Sequence, residues 1–332
     1  MSTIDQRHRQ ASSDTFTIQW VPCYFQRVEQ QLTKPRALKP GDTIGIAAPA
    51  SPFDREAFDR GIAVLESIGF RVQIPEGLFA RNGYLAGSDT ERAALLMGLF
   101  EDDSIGAIFC ARGGFGSMRL LPLLDFDTIC SHPKVIVGFS DITALLVAIY
   151  NRCSTVTFHG PLVTTLGKGS KQTRSALVDT IASPRPLNLR PHKAIVVNAG
   201  KASGPLLGGN LTSLCHLMGT HYEPSFESHL LFLEDRGEAP YRIDRMLSQL
   251  RLGGHLDGVA GVILGSFQDC GAVDDVYSVV KDAFSHTGVP ILTGFEFGHG
   301  TENITIPIGI EAELNTEEGG LRFQEAAVED TK

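Results

Sequence analysis

The sequence predicts an α/β protein in two parts: a mainly parallel sheet with helices on both faces, then a smaller, more mixed α/β part. Three observations predict it. Strand-like apolar runs alternate with amphipathic, helix-like runs through the first half, which is the pattern of a parallel sheet. Composition shifts between Gly167 and Lys201, where apolar pairs thin out and Pro184-Arg-Pro186 occurs. The chain has 332 residues, long for one core and suited to two compact domains. The expected division is an extension over 1–37, a first domain over 38–183, a connection over 184–203 and a second domain over 204–332.

The body is expected to begin at Leu38-Lys-Pro-Gly-Asp42, and Thr43 to Ala48 reads as a buried strand ended by Pro49-Ala-Ser-Pro52. Asp54 to Ile68 carries Phe58, Ile62, Leu65 and Ile68, close to helical spacing. Phe70 to Ile74 reads as a second strand, and Ser88-Asp-Thr-Glu91 as a capping box opening a helix through Leu95, Leu96 and Leu99. Ile105 to Cys110 is a third strand. Lys134 to Phe139 is a fourth, followed by a helix from near Asp141. The second half offers Gly204 to Asn210, a strand Leu230 to Leu233, a helix Tyr241 to Leu250, and strands Val259 to Gly265, Val289 to Leu292 and Ile304 to Ile308. Ligands of such sheets bind beyond the carboxyl ends of the strands.

Composition excludes several roles. A net charge of −9 with no basic stripe argues against nucleic-acid binding. No apolar run reaches the roughly 18 residues that cross a bilayer, so no membrane role is expected. Residues 1–34 are mostly polar and lack the apolar core of a secretory signal, which leaves a loosely structured extension with an apolar patch at Ile18 to Phe25. The six cysteines are widely spaced, with no Cys-x-x-Cys. They read as reduced and structural, which points to the cytosol. No His-Glu-x-x-His and no zinc-spaced cysteine/histidine cluster occurs. Neither a metal nor another cofactor is expected.

Four places could carry chemistry. Ser140 falls where a strand gives way to a helix, in Gly138-Phe-Ser-Asp-Ile142. That is the setting of a nucleophile elbow, with Ile142 in place of the second glycine, and equally the setting of an N-cap. The loop Ala111-Arg-Gly-Gly-Phe-Gly-Ser117 fits neither a dinucleotide fingerprint nor a P-loop. Its N–H groups could face a phosphate or an oxyanion, or merely form a turn, and Arg112 could hold a carboxylate or sit in a salt bridge. Leu230 to Leu233 ends in Glu234-Asp235; either acid could orient a histidine, while a surface turn fits Asp235 better. His299, flanked by Gly298 and Gly300, is the candidate base, and His159 in Phe158-His-Gly-Pro161 is the rival base or a substrate-side group.

Together these segments resemble the LD-carboxypeptidase family of serine peptidases, which includes muramoyltetrapeptide carboxypeptidases and microcin-immunity peptidases. The likeness runs from about Leu38 to Arg322 through Lys39-Pro-Gly-Asp42, Ala111-Arg-Gly-Gly-Phe-Gly116, Gly138-Phe-Ser-Asp-Ile-Thr143, His159-Gly-Pro161, Gly208-Gly-Asn-Leu211, Leu233-Glu-Asp235, Ile243-Asp-Arg245, Gly298-His299 and Pro307-Ile-Gly309. Phe115 stands where the family commonly has tyrosine. The resemblance implies a flavodoxin- or amidotransferase-like first domain, a smaller second domain and a site between them. It implies a triad of Ser140, Glu234 and His299, with oxyanion donors from Asp141 and from Gly113 or Gly114. It also implies a homodimer and hydrolysis of a murein tetrapeptide at its terminal D-alanine. The alternative within the family is a microcin-immunity peptidase acting on a peptidyl or aminoacyl nucleotide. A non-catalytic module binding a nucleotide or an anionic peptide is the alternative from another class.

Overall fold

The computed structural model describes residues 31–330. The apolar patch expected at Ile18 to Phe25, and most of the extension, lie outside the described residues. The strands of the first half are β1 (Thr43–Ala47), β2 (Arg71–Gln73), β3 (Ile105–Cys110), β4 (Val135–Gly138) and β5 (Thr157–His159). Between them run α1 (Arg55–Ser67), α2 (Asp89–Glu101), α3 (Phe126–Ser131) and α4 (Thr143–Cys153). Both expected helix starts are present: Asp54 Oδ1 accepts from the Ala57 N–H at 2.8 Å, and Ser88 and Glu91 cap each other reciprocally. These side chains satisfy N–H groups that have no partner in the first helical turn.

Two short helices, α5 (Val163–Leu166) and α6 (Lys171–Ile181), lead into the second half. There β6 (Asn188–Leu189), β7 (Ile195–Asn198), β8 (Lys201–Asn210), β9 (Leu230–Arg236), β10 (Gly261–Gln268), β11 (Ile291–Thr293), β12 (Ile306–Ile308), β13 (Glu311–Asn315) and β14 (Gly320–Phe323) alternate with α7 (Leu211–Leu217), α8 (Pro240–Leu252) and α9 (Val273–Ala283). The first sheet has the order β12-β5-β4-β3-β1-β2 and is parallel except for β12. The second has the order β6-β14-β13-β8-β9-β10-β11-β7, with a parallel centre from β8 to β11 and antiparallel flanks. The apolar runs of β3 and β4 are buried along almost their whole length, as expected of strands covered on both faces.

The structure corrects four expectations. Residues 184–203 are not a bare connection, because β6, β7 and the start of β8 fall there and pair into the second sheet. The packed body starts before Leu38: Thr33 bridges to Thr155, Arg36 bridges to Glu329, and Ala37 is buried. The segment Ile306–Ile308 joins the first sheet by pairing with β5, so the two halves share a strand. Pro307 is tolerated there because β12 is an edge strand. Finally, not all cysteines are thiols. Cys130 at the end of α3 and Cys153 at the end of α4 form a disulfide, while Cys110, Cys215 and Cys270 are free and buried. Widely spaced cysteines say nothing about which helix ends will meet, and the compartment argument built on six thiols falls with this pair.

Candidate active site

β4 delivers Ser140. Its last residue, Gly138, has no room for a side chain, since a Cβ would lie 2.6 Å from Ile142 Cγ2. Phe139 is extended and Ser140 then adopts φ 65°, a left-handed conformation that costs a non-glycine residue on the order of 1 kcal/mol. The chain makes one 3₁₀ turn, Ser140–Ile142, before α4 begins at Thr143. Ser140 is therefore not the N-cap. The position before α4 is Ile142, with no side-chain capping bond, and the Ser140 hydroxyl is bonded elsewhere.

It meets His299. Nε2 of that imidazole lies 3.1 Å from Ser140 Oγ, and Nδ1 lies 2.7 Å from Glu234 Oε2. The carboxylate selects the tautomer: Nδ1–H donates to Glu234, which leaves the Nε2 lone pair to accept the serine proton. Glu234 is wholly buried near the end of β9, and the same Oε2 also accepts the backbone N–H of His299 at 3.2 Å. This grip needs Gly298, whose φ is 95° and whose Cβ, if present, would lie 2.4 Å from Oε2. Its own N–H donates to Asn303 Oδ1 at 2.9 Å. The Phe139 ring packs against the imidazole, with centroids 4.7 Å apart at 64°.

Asp235 has a different task. It is buried too, and it accepts from Asn210 Nδ2 at 3.0 Å, from the Thr212 N–H at 2.9 Å and from Thr212 Oγ1 at 2.8 Å. Burial pushes its carboxyl above the usual range, against the opposing pull of the hydrogen bonds from Arg236 and Thr212. The expected surface turn is thus a buried anchor tying β9 to the start of α7. Period-2 alternation could not separate it from Glu234, because in β9 both neighbouring acids are buried.

The glycine loop lies against the serine. A Cβ on Gly113 would sit 3.0 Å from Ser140 Cβ, whereas one on Gly114 (φ 101°) would meet Ser51 Oγ at 2.5 Å. Ser51 pins the loop: its N–H donates to Gly113 O at 3.2 Å, and its Oγ accepts the Phe115 N–H at 3.1 Å. Ser117 ties the loop to the serine turn, its N–H donating to Asp141 Oδ2 at 2.8 Å and its hydroxyl to Asp141 O. Neither Ser51 nor Ser117 was singled out from the sequence, since serines beside glycines are common in any loop. The N–H groups of Gly113 and Asp141 have no acceptor among the described residues.

Arg112 is exposed, donates to Pro52 O at 2.7 Å and has no carboxylate partner among the described residues. His159 makes no hydrogen bond to Ser140 and leaves no surface exposed. It is fully buried, with both ring nitrogens unpartnered, and its pKa is pushed down to about 3 by burial and by the nearness of His299.

A hydroxyl, an imidazole and a carboxylate bonded in a row, with free N–H groups beside the hydroxyl, define a serine hydrolase. Residues 44–160 match the LD-carboxypeptidase N-terminal domain and residues 203–314 match the LD-carboxypeptidase C-terminal domain. A probable murein peptide carboxypeptidase of Bacillus subtilis is 41% identical, over 86% of this chain and 92% of its own. The microcin C7 self-immunity protein of Escherichia coli is 29% identical, over 86% of this chain and 94% of its own. The crystal structure of a muramoyltetrapeptide carboxypeptidase from Oxalobacter formigenes superposes with a TM-score of 0.78 at 30% identity, covering 87% of this chain and 100% of that one. The chain belongs to the LD-carboxypeptidase family and is an LD-carboxypeptidase-like hydrolase.

Proposed function

We propose that this enzyme hydrolyses the bond between the L-centre of a dibasic residue and the terminal D-alanine of a murein tetrapeptide. The observation that carries the mechanism is the bonded row Ser140–His299–Glu234. His299 Nε2 takes the hydroxyl proton as Ser140 Oγ attacks the carbonyl carbon. The N–H groups of Asp141 and Gly113 receive the developing oxyanion, a contribution of the size that makes such donors worth about 10²–10³-fold in rate. His299 then returns the proton to the departing amine as the C–N bond breaks, leaving an acyl-serine and free D-alanine. Water attacks this ester, giving its proton to His299, and the serine hydroxyl is restored. Glu234 holds the tautomer and stabilises the imidazolium throughout. Arg112, exposed and without an ion-pair partner among the described residues, is suited to the substrate's terminal carboxylate.

The test is D-alanine release from L-Ala-D-Glu-meso-diaminopimelate-D-Ala by wild type and Ser140→Ala. Wild type is expected to turn over, and the variant to lose at least about 10⁴-fold in kcat. A variant retaining most activity would sink the mechanism. A second reading, supported by the kinship with the microcin self-immunity protein, is cleavage of an aminoacyl nucleotide. An aminoacyl sulfamoyl adenylate assayed beside the tetrapeptide separates the two.

A further inference from the structure

His159 is left without a role in this chemistry, yet it occupies a particular place. It ends β5, beside β4, and is paired in register with Gly138, two residues before Ser140. Three phenylalanine rings surround it. Phe139 lies 5.8 Å away at 61°, Phe232 5.2 Å away at 83°, and Phe297 6.0 Å away at 80°. Phe232 and Phe297 also pack on each other at 5.5 Å and 86°. Each of these rings adjoins a different member of the catalytic row. Phe139 immediately precedes Ser140, Phe232 is two residues before Glu234 on the same strand, and Phe297 is two residues before His299. Phe139 in turn packs on the His299 imidazole.

The three reacting groups come from a turn after β4, from β9 of the other sheet, and from the loop after β11. No local element fixes their mutual distances. Near-perpendicular aromatic packing in a buried cluster has a preferred geometry, and close-packed interiors transmit displacement rather than absorb it. We propose that His159 is a positioning residue: its ring is the common contact through which the segments bearing Ser140, Glu234 and His299 are held in register across the two sheets. It acts by shape, because neither ring nitrogen has a partner among the described residues. The inference rests on the triad assigned above.

The test compares His159→Leu, which keeps bulk but no ring, with His159→Phe, which keeps a flat ring. Both are followed by thermal melting, so that a loss of fold is not mistaken for misalignment. On the tetrapeptide, His159→Leu is expected to lose about 100-fold in kcat with KM within about 3-fold, the scale of a small misplacement of reacting groups. His159→Phe should recover kcat to within about 5-fold of wild type on the same reasoning. A second readout needs no substrate: the low-field proton resonance of His299 Nδ1–H bonded to Glu234. It should be present in wild type and His159→Phe, and broadened or lost in His159→Leu. Wild-type inactivity on the tetrapeptide would refute the substrate reading while this resonance still decides the positioning role. The role is overturned if His159→Leu keeps both kcat and the resonance, if His159→Phe is impaired as much as His159→Leu, or if wild type shows no such resonance.

Discussion

Acid should destabilise this protein through His159 in a way that one substitution isolates. The imidazole is fully buried, and its pKa falls from 6.5 to about 3, chiefly by desolvation and secondarily through His299. In the unfolded chain it regains its ordinary value. Because the folded pKa lies below the unfolded one, the unfolded state binds the extra proton between them. The contribution to stability is therefore complete above the unfolded pKa and is withdrawn as pH falls toward the folded one. Each pH unit well inside that window costs about 1.4 kcal/mol. Going from about pH 7.5 to about pH 4.5 should remove on the order of 2–3 kcal/mol through this one ring. The carboxyls of Asp89 and Glu302, which hydrogen bonds hold below their usual values, also withdraw stability toward acid. His159→Phe leaves those in place and deletes only the imidazole, so the difference between the two proteins carries the signal. The assay is urea unfolding across that pH range. Wild type should lose the stated amount relative to the variant, with unchanged m-values at each pH. Parallel stability curves would refute the reasoning, since they would mean that the folded protein accommodates the proton as readily as the unfolded chain does.

Three further outcomes follow from the geometry. Gly298→Ala places a methyl 2.4 Å from Glu234 Oε2 at φ 95°; it should cost more than about 1 kcal/mol in denaturant unfolding and lower kcat as the Glu234–His299 bond is pushed apart. Ser140→Gly and Ser140→Ala should be equally inactive, but the glycine variant should unfold about 1 kcal/mol later, because only it is relaxed at φ 65°. Reduction of Cys130–Cys153, which closes a span of 23 residues, should lower stability by about 3.5 kcal/mol on the chain-entropy relation. Unchanged unfolding midpoints with and without reductant would show that no such cross-link operates.

Much of the site could be read from the chain, for identifiable reasons. The left-handed Ser140 turn follows from an apolar strand running directly into a helix, and the capping residues Asp54 and Ser88 sit where their side chains reach the first-turn N–H groups. Other features were not legible. Asp235 looks like a turn residue until Thr212 and Asn210 arrive from another strand end to satisfy it. His159 reads as a candidate base because Phe158-His-Gly-Pro161 follows a short strand, whereas a neighbouring sheet strand and three phenylalanines enclose it. The strands β13 and β14 lack a strong apolar run; β13 exists because β8 offers it an edge, and β14 because β13 then offers the next.

Sequence alone determined the alternation of strands and helices and the family, because these depend on periodicity and on short motifs recurring in one order; the residues themselves left two adjacent acids and two histidines open, and only the family resemblance pointed to Glu234 and His299. Tertiary structure decided the rest. Ser140 and His299 are 159 residues apart, and Glu234 and His299 are 65 apart. Their meeting depends on two sheets packing with β12 crossing from one half to complete the other. Which glycine faces the serine, which acid holds the imidazole and which cysteines join are likewise matters of ångström-scale proximity between distant segments, and short-range patterns carry no information about that distance.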